Sequence, residues 1–284
     1  MKDKLLTYLE VIELSTEYLS KRGVENPKCD AEWIVSNITG KKRVEIYLNY
    51  EDIISLDNLN AIRSDIIKRG KRIPLQHILG KINFAGQEIL CDQRALIPRH
   101  ETEQLTELIE AELIESFAGN FLDLGTGSGV ILITLCKTFP LSKGLGIDIS
   151  KKAISLAKEN LHLNNIKNAR IEHLDWEKDI LNEQFEVIIS NPPYLSEEEW
   201  EQTEPEVKNY DPKNALVAKD DGLRDIKNIL KFCENHLSKD GLLALEIGNS
   251  QNKVICESML SKFYNIRTIN DYCRKPRFVI AKKK

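Results

Sequence analysis

Apolar positions change their spacing twice along the 284-residue chain, and each change marks a change of architecture. In the first stretch Leu5, Leu6, Leu9, Ile12 and Leu14 recur at helical intervals, with Glu and Lys between them. Asp30 to Val35 opens a second amphipathic stretch after Pro27. Residues 56 to 67 form a third, with Asp57 as its expected cap. A small helical bundle over 1–73 is predicted, ended by Pro74. From Ile78 to Leu90 apolar and polar residues alternate around Gly80 and Gly86, the pattern of a hairpin connecting two domains. Pro98 then holds Ile97 extended, and a helix over 102–117 follows with Thr102 as its cap. From Asn120 onward short apolar runs alternate with amphipathic stretches: strands at 121–124, 144–148, 169–173, 185–189 and 241–247, helices at 129–139, 151–164, 222–238 and 250–263. Such alternation predicts an α/β fold with a mostly parallel, doubly wound sheet. The expected domains are a helical one at 1–73, a hairpin linker at 74–97 and a sheet domain at 98–284.

Composition narrows the class. Apolar residues make up 42% and charged residues 30%, which predicts a soluble globular protein, and the length suffices for one sizeable core plus a smaller domain. The net charge of −4 lacks the simplest signature of a protein that grips a long nucleic acid through its phosphates, so a protein partner fits better. Arg63, Lys68, Arg69, Lys71 and Arg72 form a basic cluster, either a solvated helix face or a contact for an acidic partner or ribosomal RNA. Cys29, Cys91, Cys136, Cys233, Cys256 and Cys273 are scattered, with no C-x-x-C and no nearby His pair, so reduced packing residues and no metal are expected. The N-terminal stretch carries acids within its apolar pattern and lacks a signal-peptide h-region. No run approaches the length of a membrane span, and a cytoplasmic protein is expected.

Three strand ends carry the candidate chemistry. The apolar run Phe121-Leu122-Asp123-Leu124 enters the turn Gly125-Thr126-Gly127-Ser128-Gly129 and then a helix. Glycine at alternate positions lets the backbone bend sharply and approach a ligand, and the helix N-terminus behind it supplies N–H donors. A nucleotide-like ligand is implied, though the spacing departs from the G-x-G-x-x-G dinucleotide fingerprint and argues against NAD. The next strand ends in Asp148, at the offset where an acid reaches ribose hydroxyls; its alternative use, capping the following helix, is already filled by Ser150. The run Phe185 to Ile189 ends in Ser190-Asn191-Pro192-Pro193-Tyr194. Two prolines fix φ and remove two N–H donors, leaving a rigid projecting turn. That turn offers an Asn amide, bare carbonyls and one aromatic face, a set suited to a small planar group carrying an NH2. Ligands in open α/β sheets bind at the carboxyl ends of strands near a switch point, so these three ends can converge on one crevice.

Together, D-x-G-x-G-x-G, the acid at the next strand end and N-P-P-Y resemble the class I S-adenosylmethionine-dependent methyltransferases, and the last motif resembles the branch that methylates a planar exocyclic or amide nitrogen. Leu75-Gln76-His77-Ile78-Leu79-Gly80, Phe84, Leu96 to Glu103, Asp175-Trp176 and Tyr210 to Leu216 are similar to the release-factor glutamine N5-methyltransferases of the PrmC/HemK family. The match runs from about Pro74 to the C-terminus. It implies a Rossmann-like seven-stranded methyltransferase sheet, whose closing strands near 266–272 and 278–281 form an antiparallel edge. It also implies S-adenosyl-L-methionine as cofactor, a class 1 peptide chain release factor as partner, and methylation of the glutamine in that factor's GGQ motif. The small N-terminal domain would help engage the release factor, and a monomer is expected. The family's usual Pro is His100 here, which makes that loop less rigid.

On this resemblance Gly125, Thr126, Gly127, Ser128 and Gly129 wrap the methionine end of the cofactor, Asp148 takes the ribose, and Asp175 and Trp176 meet the adenine. Trp176 as core filler is the alternative. Arg99 pairs either with the cofactor's carboxylate or with Glu103. His173 is read as a strand residue, and Glu246 as the far wall or else a surface carboxylate. An amide nitrogen is a poor nucleophile because its lone pair is delocalised, so positioning is the main lever. Asn191 Oδ1 and the Pro192 carbonyl each accept one N–H of the target, and Tyr194 stacks on the amide beside Pro193. No catalytic His or Glu is expected. An adenine-N6 nucleic-acid methyltransferase uses the same turn on a flipped base, but would need a basic groove and a recognition insert. A non-catalytic adaptor would tolerate a degraded glycine turn or a lost Asn191.

Overall fold

The computed structural model describes residues 5–284. Residues 1–4, where the N-terminal stretch examined for a leader begins, lie outside the described part. In chain order the elements are helices α1 (Tyr8–Ser20), α2 (Pro27–Thr39), α3 (Arg43–Leu48), α4 (Leu56–Gly70) and α5 (Leu75–Leu79), strands β1 (Lys81–Phe84) and β2 (Gln87–Leu90), and helix α6 (His100–Glu112). Then come β3 (Asn120–Leu124), α7 (Val130–Thr138), β4 (Lys143–Asp148), α8 (Lys151–Leu163), β5 (Ala169–His173) and β6 (Phe185–Ser190). The chain closes with α9 (Glu197–Glu201), α10 (Pro205–Tyr210), a short 3-10 turn at Lys213–Ala215, α11 (Arg224–His236), β7 (Leu237–Glu246), α12 (Asn252–Met259), β8 (Phe263–Asn270) and β9 (Pro276–Lys283).

Two compact units result: the chain up to Gly80 together with Glu204–Tyr210, and Lys81–Thr203 with Asp211–Lys284. The 74–97 stretch is therefore shared, α5 going with the helices and the hairpin with the sheet. In the helical unit Thr7 and Glu10 form a capping box that starts α1. The cap of α4 is Ser55, whose hydroxyl takes the Asn58 N–H, and not Asp57. Pro74 does not end the helical unit; it is the residue from which α5 starts. The basic cluster is partly consumed within the unit. Arg69 is buried and pairs with Asp30 at 2.6 Å and Glu206 at 2.7 Å, while Arg72 pairs with Glu206 at 2.6 Å. A buried guanidinium persists only with such partners.

The second unit is a seven-stranded sheet of order β5-β4-β3-β6-β7-β9-β8, parallel except for β9, which runs antiparallel to β7 and β8. Alternate residues of the central strands feed opposite cores. Val187, Ile189, Leu242 and Ala244 pack with α6, α7 and α8, while Ile188, Leu243 and Leu245 pack with α11 and α12. Burial on both faces explains why these strands read as continuous apolar runs. The hairpin turns on Ala85 and Gly86, at φ of 47° and 75°, the mirror-image turn that matches strand twist. Asn160 ties it to the sheet unit: its side chain accepts from Leu90 N at 2.8 Å and donates to Ser128 O at 3.0 Å.

Chain order runs outward from β3 to β4 and β5, then returns to β6 on the other side of β3. The switch point therefore lies between β3 and β6. The Ser190 hydroxyl donates to Leu124 O at 2.6 Å and pins the two strand ends together, so the turns that leave them share one crevice.

Candidate active site

The turn after β3 needs its glycines. Gly125, Gly127 and Gly129 stand at φ of 74°, 54° and 84°, a region that side chains with a Cβ rarely adopt. The backbone so bent is fastened to β4, with Gly125 N and Thr126 N donating to Ile147 O at 2.9 and 3.0 Å. Asp148 closes the arrangement: Oδ2 accepts from Gly127 N at 3.0 Å and Oδ1 from Ser150 N at 2.8 Å. Ser150 itself caps α8 through Ala153 N, as expected. Burial raises the Asp148 carboxyl above the usual range, and those two N–H groups oppose the rise. Each carboxylate oxygen has further lone-pair capacity to accept from hydroxyls.

These residues line a cavity of about 300 Å³ that also takes in Thr102, Trp176, Asn191 and Pro193. The Trp176 ring is half-buried, and its Nε1 is buried without a hydrogen-bond partner. Asp175 lines the same space with its carboxylate engaged by Lys178 at 2.6 Å, a bond that holds its pKa below the usual range. Arg99 reaches the cavity too, but pairs with Asp211 at 2.7 Å rather than with Glu103, which instead accepts from Ala85 N. His173 is exposed with its Nε2 2.9 Å from Ile149 O, a strand residue as read.

The N-P-P-Y turn divides its residues. Asn191 and Pro193 face the cavity, while Pro192 is buried and Tyr194 turns its hydroxyl away to Glu246 Oε1 at 3.1 Å. The Arg277 guanidinium sits 5.6 Å from the Tyr194 ring centroid, so an ordered cation already occupies the neighbourhood of that ring. Glu246 is not a surface carboxylate: it is 1% exposed, and burial raises it to about 7 against the hydrogen bonds of Thr102 and Tyr194 and the charge of Arg277. Thr102 is not a cap, because α6 begins at His100 and turns this hydroxyl inward to Glu246 Oε2 at 2.8 Å. Asn191 Nδ2 in turn donates to Thr102 Oγ1 at 2.9 Å.

Three residues received no role from the sequence. Asp123, wholly buried, accepts from Thr126 Oγ1 at 2.6 Å; burial raises its carboxyl to about 7 and the Asp148 charge adds to the rise. Its place in D-x-G-x-G-x-G was the available signal. Gly222, at φ of 80°, lies so close to the turn that a Cβ there would stand 2.0 Å from Tyr194 O. Gln251 donates to that same carbonyl at 2.9 Å. Neither Gly222 nor Gln251 carries a local signal.

The chain matches two family models, one described as PrmC N-terminal domain over residues 10–80 and one as Methyltransferase small domain over residues 90–207. It is 39% identical over 278 residues to a release factor glutamine methyltransferase of Fusobacterium nucleatum, covering 97% of this chain and 78% of that protein. The chain belongs to the release factor glutamine methyltransferase family. A relative of the same description from Geobacter sulfurreducens is 34% identical over 89% of this chain and 88% of its own length. Two solved structures share the fold. The Thermus thermophilus 16S rRNA N2 G1207 methyltransferase, solved with AdoMet and guanosine, superposes with a TM-score of 0.52 at 17% identity over 72% of this chain and 50% of its own. A Pyrococcus furiosus methyltransferase superposes at 0.51 with 18% identity over 70% and 89%. S-adenosylmethionine is the family's methyl donor, and the cavity fits it: a glycine-lined cradle, an acid with spare acceptor capacity and the half-buried Trp176 ring line one space.

Proposed function

We propose that this chain transfers a methyl group from S-adenosylmethionine to the side-chain amide nitrogen, N5, of the glutamine in the GGQ motif of class 1 peptide chain release factors. The observation that carries the reading is the Asn191 side chain at the cavity wall, one N–H of its NH2 given to Thr102 and its oxygen left to accept. In this reading Gly125 to Gly129 hold the methionine end of the donor, Asp148 the ribose, and Asp175 and Trp176 the adenine. When bound, S-adenosylmethionine supplies an electrophilic methyl on a sulfonium.

The protein's part is orientation. Asn191 Oδ1 and the Pro192 carbonyl accept the two N–H groups of the glutamine carboxamide and aim its nitrogen, with Pro193 and Tyr194 flanking it. Fixing two reactants in a near-attack arrangement contributes about 7–11 kcal/mol in the best intramolecular cases. No strong base has to act before transfer, since the nitrogen becomes acidic once alkylated. The helical unit engages the release factor, the enzyme works as a monomer, and the compartment is the cytoplasm. Among the described residues no helix is long and apolar enough to cross a membrane. Incubation with labelled S-adenosylmethionine and either a release factor or DNA tests the reading. Label is expected on the factor's glutamine; label on adenine alone overturns it in favour of the nucleic-acid alternative.

A further inference from the structure

The hydrogen bonds behind Asn191 form a chain whose direction is fixed by chemistry. A carboxylate only accepts, a hydroxyl has one proton to give, and a carboxamide has one accepting and one donating end. Tyr194 Oη and Thr102 Oγ1 lie 3.1 and 2.8 Å from the two oxygens of Glu246. With Glu246 ionised, both hydroxyls must donate to it. Burial raises the Tyr194 phenol, so it stays a donor. Thr102, its proton spent, can only accept from Asn191, 2.9 Å away, and only the NH2 end of Asn191 satisfies it. Thr102 and Glu246 are 3% and 1% exposed, which leaves little room for water to substitute in the relay.

We propose that Thr102 and Glu246 are positioning residues that lock the Asn191 carboxamide with its oxygen toward the bound substrate, so that the site accepts an NH2-bearing side chain and turns away a carboxylate. The proposal rests on the release-factor reading above and deepens it: an oxygen held toward the target distinguishes glutamine from glutamate by repulsion as well as by attraction. The acceptor arrangement has a condition. Once Glu246 takes a proton it becomes a donor to Thr102, which can then donate to Asn191, and the carboxamide is free to turn its NH2 to the cavity. The charged and titratable groups facing Glu246 are Tyr194 on the turn after β6, Arg277 on β9 and Glu101 on α6; Arg277 favours the ionised form and Glu101 opposes it.

The test compares wild type, Thr102→Val, Thr102→Ser and Glu246→Gln, with a release factor as substrate and its GGQ Gln→Glu variant as competitor. Thr102→Val is expected to lower kcat about a hundredfold, the scale on which small misplacements act, with little change in KM for S-adenosylmethionine. Thr102→Ser restores most of it. The Gln→Glu competitor, weak against wild type, binds Thr102→Val more tightly. Wild-type kcat falls as pH drops below about 7, the value to which Glu246 is raised, while Glu246→Gln, slower throughout, shows a ratio of rates at high and low pH close to one. If Thr102→Val does not fold, the pH profile of Glu246→Gln decides. Thr102→Val with unchanged kcat and unchanged discrimination, or Glu246→Gln with the wild-type acid limb, overturns the proposal. A wild type that leaves the release factor unlabelled overturns the underlying reading instead.

Discussion

Asp148 shows how much one side chain can be asked to do. It braces the glycine turn through Gly127 N, anchors the start of α8 through Ser150 N, and keeps lone pairs for the cavity. Asp148→Ala is therefore expected to weaken S-adenosylmethionine binding by about tenfold or more, the scale of a lost charge-assisted bond of about 1.5–3 kcal/mol, as read by calorimetry. Affinity equal to wild type would make the acid a fastener of the turn and nothing more. Asp148, the glycines and Asn191 were legible because each sits at the end of an apolar run, where the alternating architecture itself says a ligand binds. Thr102 was misread for the same local reason: a Thr ahead of an amphipathic stretch is a cap signal. Its real partner, Glu246, is 144 residues away in sequence and no local pattern points to it. Tyr194 likewise reads as an aromatic face, whereas the fold first uses its hydroxyl.

The elements that carry the site differ in how clearly the chain announces them. The expected strand at 169–173 coincides with β5, and 144–148 and 185–189 fall within one residue of β4 and β6. The central β7 is longer and starts at Leu237, ahead of the expected 241, but the ends of the short runs bounded by turn residues are sharp, even those of β5 at the sheet edge. Helix ends are not: α6 was expected to reach 117, but Leu113 is already extended, at φ −109° and ψ 153°, although Ile114 and Phe117 continue the apolar pattern. The short helices α9, which is acidic, and α10 are absent from the expected elements, having too little apolar content to signal themselves. The junction between the N-P-P-Y turn and α11 depends on Gly222, where a Cβ would meet Tyr194 O at 2.0 Å and where φ is 80°. Gly222→Ala is expected to lower stability by about 1–3 kcal/mol from backbone strain alone, to be measured by denaturant unfolding. It should reduce methyl transfer as well, because the turn must shift. Unchanged stability would mean that this close approach relaxes without cost.

Among the described residues Asp123 and Glu246, the two most deeply buried carboxyls of the sheet unit, are each raised to about 7 from ordinary values of 3.8 and 4.5. Between those limits the folded chain holds protons that the unfolded chain has released. The contribution of these groups to stability is therefore greatest at low pH and is lost as pH rises through about 7. Glu206 in the helical unit has the opposite sign. Burial raises it, but its bonds to Arg72 and Arg69 win and hold it low, so its contribution is present above 4.5 and is lost on further acidification. Glu246→Gln removes one titration of the first kind. Its melting temperature is expected to gain on wild type at pH 8 relative to pH 5.5, and a difference independent of pH would contradict the raised carboxyl. The ion pairs of Arg69 and Arg72 explain why the basic cluster was ambiguous in the sequence: composition counts charges but not which of them the fold has already paired.

The most direct measurement is the single-turnover rate of methyl transfer from saturating S-adenosylmethionine to a release factor, for wild type and Asn191→Ala, with the methylated residue located by mass spectrometry. The account predicts the methyl on the GGQ glutamine and a fall of about a hundredfold or more in the variant, with cofactor affinity nearly intact. An unaltered rate, or a methyl found elsewhere, would contradict it.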